Sequence, residues 1–233
     1  MAHSETPTAE EFIEFAIHCG VLRFGRFKTK AGRISPYFFN AGLFSDGVRL
    51  GRLAKYYART FLQAMQQGVL SADMLYGPAY KGITLVSATA VALAQEGCNF
   101  QFAFNRKLEK DHGEGGVIVG AELTGRVLIV DDVISAGTSV AESVQIIRAQ
   151  GAEPSGVLLA LDREERSGDA EVVGAESAID AVRKRYGLPV VAIATLSDLV
   201  HYLALREDAE LAQWHEPLSL YRERYGTTRS RSN

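Results

Sequence analysis

The chain has 233 residues, 47% of them hydrophobic, enough to bury a full core within one domain. Its 25 Lys and Arg nearly balance 28 Asp and Glu, and the formal net charge of −3 excludes a strongly basic nucleic-acid binder. Two cysteines, Cys19 and Cys98, make no disulfide framework and no Cys/His zinc spacing, and no apolar run reaches the roughly eighteen residues of a membrane span. Met1 to Glu11 is polar and carries no signal-peptide core, so a soluble cytoplasmic protein with reduced, buried thiols is expected.

In chain order, Thr8 with Glu11 fits a capping box opening a helix through Phe12, Phe15 and Ala16. Between Val21 and Phe44 an irregular, aromatic and basic stretch contains the turn formers Gly25, Gly32, Pro36 and Gly42. It predicts short strands forming a small hood, at about 20–45, apart from the main sheet. A long helix follows from about Val48 to Gln67, with Leu50, Leu53, Tyr57, Phe61 and Met65 roughly on one face. Met74 to Tyr76 reads as a strand, Ile83 to Gln95 as a helix and Phe100 to Phe104 as a strand, before a polar loop from Asn105 to Gly116.

An apolar strand at 127–133 leads into a helix ending near Ala149. Then come a strand at Val157 to Leu161, a helix from about Ala175 to Tyr186, a strand at Val190 to Ala194, and C-terminal helices. Strands alternating with helices predict an α/β fold, a parallel central sheet flanked by helices, in a single domain over 1–226. Residues 227–233 have no periodic apolar positions and read as a disordered tail.

The most informative stretch is Val127-Leu128-Ile129-Val130-Asp131-Asp132-Val133-Ile134-Ser135-Ala136-Gly137-Thr138-Ser139. An apolar run fit for a buried strand ends in two adjacent acids, and a turn of small and hydroxyl residues leads into a helix. Ligands of open α/β sheets sit beyond the carboxyl ends of the strands. Two acids there can accept hydrogen bonds from vicinal hydroxyls. The amides at the helix start stabilise an anion through donors and dipole together. One segment can therefore hold the diol and the phosphate of a ribose 5-phosphate. The competing reading is an Asp pair that caps the next helix or binds a metal.

Three further stretches carry chemistry. Asn105 to Gly116 contains Arg106, Lys107, Lys110 and His112, then Gly113, Gly115 and Gly116. It is either a solvated hairpin tip or a lid whose cations reach a pyrophosphate; Glu109, Asp111 and Glu114 cancel its fixed charge. Gly77-Pro78-Ala79-Tyr80-Lys81-Gly82 ends a strand and would bring Lys81 near the same sheet edge as Asp131, where a lone lysine is otherwise an ordinary surface charge. In the third, Lys30 precedes Phe38 and Phe39, of which one can cover a flat ring while the other packs inward.

The acid pair with its Ala136-Gly137-Thr138 turn resembles the PRPP-binding signature of the type I phosphoribosyltransferases. Four other segments narrow the likeness: Ser35 to Asn40, Gly77 to Gly82, the Arg106-to-Gly116 loop and Leu161-Asp162-Arg163. With them, Phe12 to Tyr225 is similar to the orotate phosphoribosyltransferase family. That resemblance implies the type I phosphoribosyltransferase fold and a pentosyl transfer from PRPP to N1 of orotate, giving orotidine 5′-monophosphate and pyrophosphate for UMP synthesis.

By the same resemblance, Lys30, Tyr80 and Lys81 contact PRPP. Arg106, Lys107, Lys110 and His112 take its pyrophosphate, some of them across a homodimer interface. Asp131 and Asp132 take the ribose hydroxyls, with Val133, Ile134, Ser135, Ala136, Gly137, Thr138 and Ser139 completing the PRPP site around the 5′-phosphate. Phe38, Phe39, Ser135 and Arg163 face orotate, and Lys110, Asp131 and Asp132 carry catalysis. Magnesium is implied as a cofactor held mainly through PRPP, with no metal site built from protein ligands alone. One departure is visible: position 135 is Ser where members commonly carry Thr. The competing reading of Arg163 is an ion pair with Asp162, Glu164 or Glu165. A phosphoribosyltransferase for another base and a non-enzymatic PRPP sensor are the other functional readings; neither nucleic acid nor membrane is an expected partner.

Overall fold

The computed structural model describes residues 8–110, 116–135 and 137–227, without the side chains of 108–110 and 116. Helix α1 (Ala9–His18) starts at the capping box: Thr8 accepts from the Glu11 amide and Glu11 accepts from the Thr8 amide, which satisfies two otherwise orphaned donors. Strands β1 (Leu22–Lys28) and β2 (Ile34–Phe39) pair antiparallel as a separate two-stranded sheet, the expected hood. The long helix α2 (Gly47–Gln66) is capped by Asp46 and buries Leu53, Tyr57 and Phe61.

The main sheet begins with β3 (Met74–Gly77), α3 (Lys81–Gln95) and β4 (Gln101–Lys110). It continues with β5 (Gly116–Gly120), β6 (Arg126–Asp131), α4 (Thr138–Ala149) and β7 (Glu153–Asp162). A small hairpin of β8 (Arg166–Gly168) and β9 (Val173–Ser177) leads to α5 (Ala178–Tyr186), β10 (Val190–Thr195), α6 (Leu196–Ala204), α7 (Ala209–Ala212) and α8 (His215–Tyr225). The six-stranded order is β10-β7-β6-β3-β4-β5, parallel except for β5, which runs antiparallel to β4.

Strand residues divide by parity, as a pleated sheet buried on both faces requires. Leu75, Leu128, Val130, Leu158 and Ala160 join one cluster with α1, α2, α3, α6 and α8. Met74, Tyr76, Val127, Ile129, Val157 and Leu159 join the other with α4 and α5. Each fully buried aliphatic side chain among them contributes about 1.5–3 kcal/mol of transfer free energy.

The central sheet is parallel as expected except at one edge, where Gly116–Gly120 returns along β4 as a sixth, antiparallel strand. The structure corrects three expectations. The polar segment from Asn105 to Lys110 belongs to β4, which pairs with β5 at Asn105 and again at Lys110 across an irregularity in register. Residues 175–177 close β9 instead of opening a helix, since the capping box of Ser177 and Asp180 starts α5 at Ala178. Both cysteines are half-buried and sit past helix ends, Cys19 as the C-cap of α1 and Cys98 beyond α3; both are free. Among the described residues no helix is long and apolar enough to cross a membrane.

Candidate active site

From β3 the chain crosses one way along the sheet, to β4, and from β6 the other way, to β7 and β10. A crevice opens at the carboxyl ends of the strands where connections diverge like this. Two loops meet there.

The loop from β3 to α3 is drawn tight by glycines. A Cβ on Gly77 would lie 2.1 Å from the Gly82 carbonyl oxygen, and one on Gly82 would lie 2.7 Å from the Gly77 carbonyl carbon. Only a residue without a side chain permits that approach. The Ala79 amide donates to Oδ1 of Asn105, a buried residue of β4, at 2.8 Å, which ties the turn to the next strand. The Ala79–Tyr80 peptide bond is cis, and Tyr80 is exposed. Lys81, the first residue of α3, places its Nζ 2.6 Å from Asp132 Oδ2.

The loop from β6 to α4 carries the acids, both buried. Asp131 accepts from the Ser139 hydroxyl and from the Asp132 amide, each at 2.9 Å, and its backbone carbonyl accepts from the Tyr57 hydroxyl at 2.8 Å. The Asp132 carbonyl accepts from the amides of Ala160 and Leu161 on β7. Burial, and then the charge of Asp132 beside it, push the Asp131 carboxyl up to about 6 against the opposing pull of its two donors. Burial and the same two acids hold the Tyr57 phenol well above its ordinary range, so it remains a donor.

Beyond the acids, Val133 packs on one core cluster and Ile134 lies within the other, so their backbone is what they can offer a ligand. Gly137 turns the chain with φ 75°, and α4 begins without a side-chain cap bond. The opening amides of such a helix have no intrahelical acceptor, and the helix dipole adds to their pull on an anion. Ser135, Thr138 and Ser139 are exposed around this cup.

On the other side, Arg163 follows β7 directly and donates from Nε and Nη2 to Glu165 Oε1 at 3.1 and 2.8 Å, and from Nε to the Tyr37 hydroxyl at 3.2 Å. Its ion pair is with Glu165, one of the three acids sequence reasoning named as alternatives. Phe38 is partly exposed, with its ring 5.4 Å from Phe27 and 5.6 Å from the Arg23 guanidinium, whereas Phe39 packs towards Phe12 in the core. The pair thus splits between the two faces as strand geometry demands.

The structure therefore brings together Lys81, Asp131, Asp132 and Ser139, while Arg163 is held by Glu165 and Tyr37. Lys30 is exposed at the turn between β1 and β2, and Arg106 and Lys107 lie on β4, the first half-buried and the second exposed. The Lys110 side chain, His112 and Ala136 lie outside the described residues. Sequence reasoning missed Tyr57, Asn105, Tyr37 and Arg33 as partners, because each acts across at least 26 positions and leaves no local pattern.

A buried acid pair at a switch point, beside a helix start open to anions, suits a sugar phosphate and marks the α/β class of proteins that bind one. In agreement, residues 51–173 match the family model of the phosphoribosyl transferase domain. The chain is similar to the orotate phosphoribosyltransferase of Cupriavidus metallidurans, with 57% identity over 97% of this chain and 100% of that one. It is 60% identical to the orotate phosphoribosyltransferase of Cupriavidus necator over 94% of each chain. The crystal structure of orotate phosphoribosyltransferase from Francisella tularensis is similar with a TM-score of 0.78 and 39% identity, over 93% of this chain and 99% of that one. The chain belongs to the phosphoribosyl transferase family and, within it, to the orotate phosphoribosyltransferases.

Proposed function

We propose that this protein joins N1 of orotate to C1 of PRPP, releasing pyrophosphate and giving orotidine 5′-monophosphate for UMP synthesis. The observation that carries this reading is the buried Asp131–Asp132 pair set between Lys81 and the uncapped start of α4. In this reading the acids accept from the ribose 2- and 3-hydroxyls. The backbone of 133–139 receives the 5′-phosphate, and Tyr80, Lys81, Lys30 and the cations Arg106, Lys107, Lys110 and His112 surround the pyrophosphate. The C1–O bond breaks towards an oxocarbenium-like centre, N1 bonds to C1 and loses its proton, and the electron pair leaves on pyrophosphate. Stabilising that departing charge is the main catalytic task, and lowered water access strengthens every cation aimed at it.

Magnesium fits the donor chemistry of the site. Asp131 and Asp132 are hard oxygen ligands, and among the described residues no cluster of three or more His, Cys, Asp or Glu could hold a metal, so PRPP and water would supply the other ligands. Bound there, the ion would offset charge on the pyrophosphate. Orotate would lie by Phe38, Phe39 and Ser135 with its carboxylate on Arg163, since a guanidinium grips a carboxylate bidentately and uracil has none.

A homodimer and a cytoplasmic location belong to the same proposal. Val48 and Val91 stand exposed on a groove of about 820 Å³ between α2 and α3, apolar surface that a second copy would cover, and a reducing compartment suits two free cysteines.

The test mixes the protein with orotate, PRPP and Mg²⁺ and follows the ultraviolet loss of orotate, alongside a panel of other bases scored by pyrophosphate release. Orotate is expected to be consumed selectively. Turnover of a purine or uracil in its place overturns the reading.

A further inference from the structure

The guanidinium of Arg163 is used along one edge only. Nε and Nη2 meet Glu165 Oε1, and Nε also meets the Tyr37 hydroxyl, while no hydrogen bond reaches Nη1 among the described residues. The end-on edge of the fork, Nη1 with Nη2, is therefore the one left for an incoming acid.

Glu165 is itself held from three directions. Tyr37, buried and set edge-on to Tyr221, donates its hydroxyl to Glu165 Oε1 at 3.0 Å. Arg33 Nη1 lies 3.8 Å from Glu165 Oε2. Arg33 is only 3% exposed and spends its donors on the carbonyls of Arg166, Ser167 and Asp169, with its guanidinium 4.6 Å over the Tyr225 ring. One residue from the hood thus clamps the segment just after Arg163 to the body of the protein.

The neighbouring acids have partners of their own. Glu164 accepts from the amide and hydroxyl of Ser197 at the start of α6, and Asp162 accepts from the Glu164 amide.

We infer that Glu165, anchored by Arg33 and Tyr37, is the positioning residue that turns the end-on edge of Arg163 towards the base and sets the preference for a base bearing a carboxylate. The inference rests on the proposed contact between Arg163 and the orotate carboxylate. A long arginine side chain free to rotate would lose much of its bidentate geometry, and Glu165 removes that freedom before the substrate arrives.

Steady-state kinetics on four variants tests it, with KM read separately for orotate and PRPP. Glu165→Gln keeps the shape and removes the charge; KM for orotate should rise about tenfold, the worth of a hydrogen bond to a charged group, with KM for PRPP unchanged. Glu165→Asp should recover part of that loss. Tyr37→Phe should raise KM for orotate about threefold, a neutral hydrogen bond being weaker. Glu165→Gln placed on Arg163→Ala should add nothing, since the two act as a unit. An unchanged KM for orotate in Glu165→Gln, while Arg163→Ala raises it, overturns this inference alone. Arg163→Ala without effect on orotate overturns the base contact beneath it. If Glu165→Gln does not fold, Tyr37→Phe decides: equal rises in both KM values mark a merely structural network and refute the assignment.

Discussion

The two loops that flank the crevice solve opposite problems. The turn from β3 to α3 is closed, its glycines packed backbone to backbone, and it serves to present one side chain, Lys81. The turn from β6 to α4 is open: Gly137 takes a left-handed conformation, yet the nearest atom to a Cβ there would be Val182 Cγ2 at 3.8 Å. Both turns use glycine, one for contact and one for conformation. The closed turn places a protein group, and the open turn leaves room for a ligand.

The sharpest way to break that contrast is to add one methyl group to the closed turn. Gly77→Ala puts a Cβ against backbone that cannot move independently, 2.1 Å from the Gly82 oxygen, and should cost about 3 kcal/mol or more. Thermal unfolding followed by circular dichroism measures it; a variant as stable as the parent would show the packing to be looser than described.

Second in size is Asp131→Asn, which removes a charge that the open turn holds at a cost. With the folded carboxyl raised to about 6, folding favours the protonated form. That contribution is complete below the ordinary carboxylate range and is lost as pH rises through about 6. At pH 7 the amide should therefore stabilise the fold by about 1–3 kcal/mol, and stability should vary less between about pH 4 and 6. Activity should move the other way, falling at least about tenfold with the lost acceptor. The parent's own activity should decline as pH drops through about 6, when Asp131 takes up its proton. Melting curves and rates across that range check both signs, and a variant less stable than the parent at pH 7 contradicts the account.

The smallest effect belongs to Gly137→Ala. Only the left-handed backbone opposes it, at about 1–2 kcal/mol, and Gly137→Asn should lose less. A loss matching that of Gly77→Ala would erase the distinction between the two turns.

What could be read in advance divides along a similar line. The strand ending in Asp131-Asp132, the capping box at Thr8, the helix with Tyr57 on its buried face and the projection of Lys81 towards the acids all follow from periodicity and spacing, and all stand in the structure. The antiparallel return of β5 was hidden, because a polar stretch can enter a ladder through its backbone alone. The bond from Tyr57 to the Asp131 carbonyl joins residues 74 positions apart, and the grip of Arg33 on the β7–β8 segment spans more than 130.

By itself the sequence determined one side of the crevice, since acids, turn and helix start lie within thirteen consecutive residues whose chemistry is local. Tertiary structure alone decided how the acids are buried, which pushes Asp131 out of the ordinary carboxylate range, and which edge of Arg163 is taken. Burial and charge pairing depend on what the rest of the chain brings near, and distance in space is not written in the order of residues.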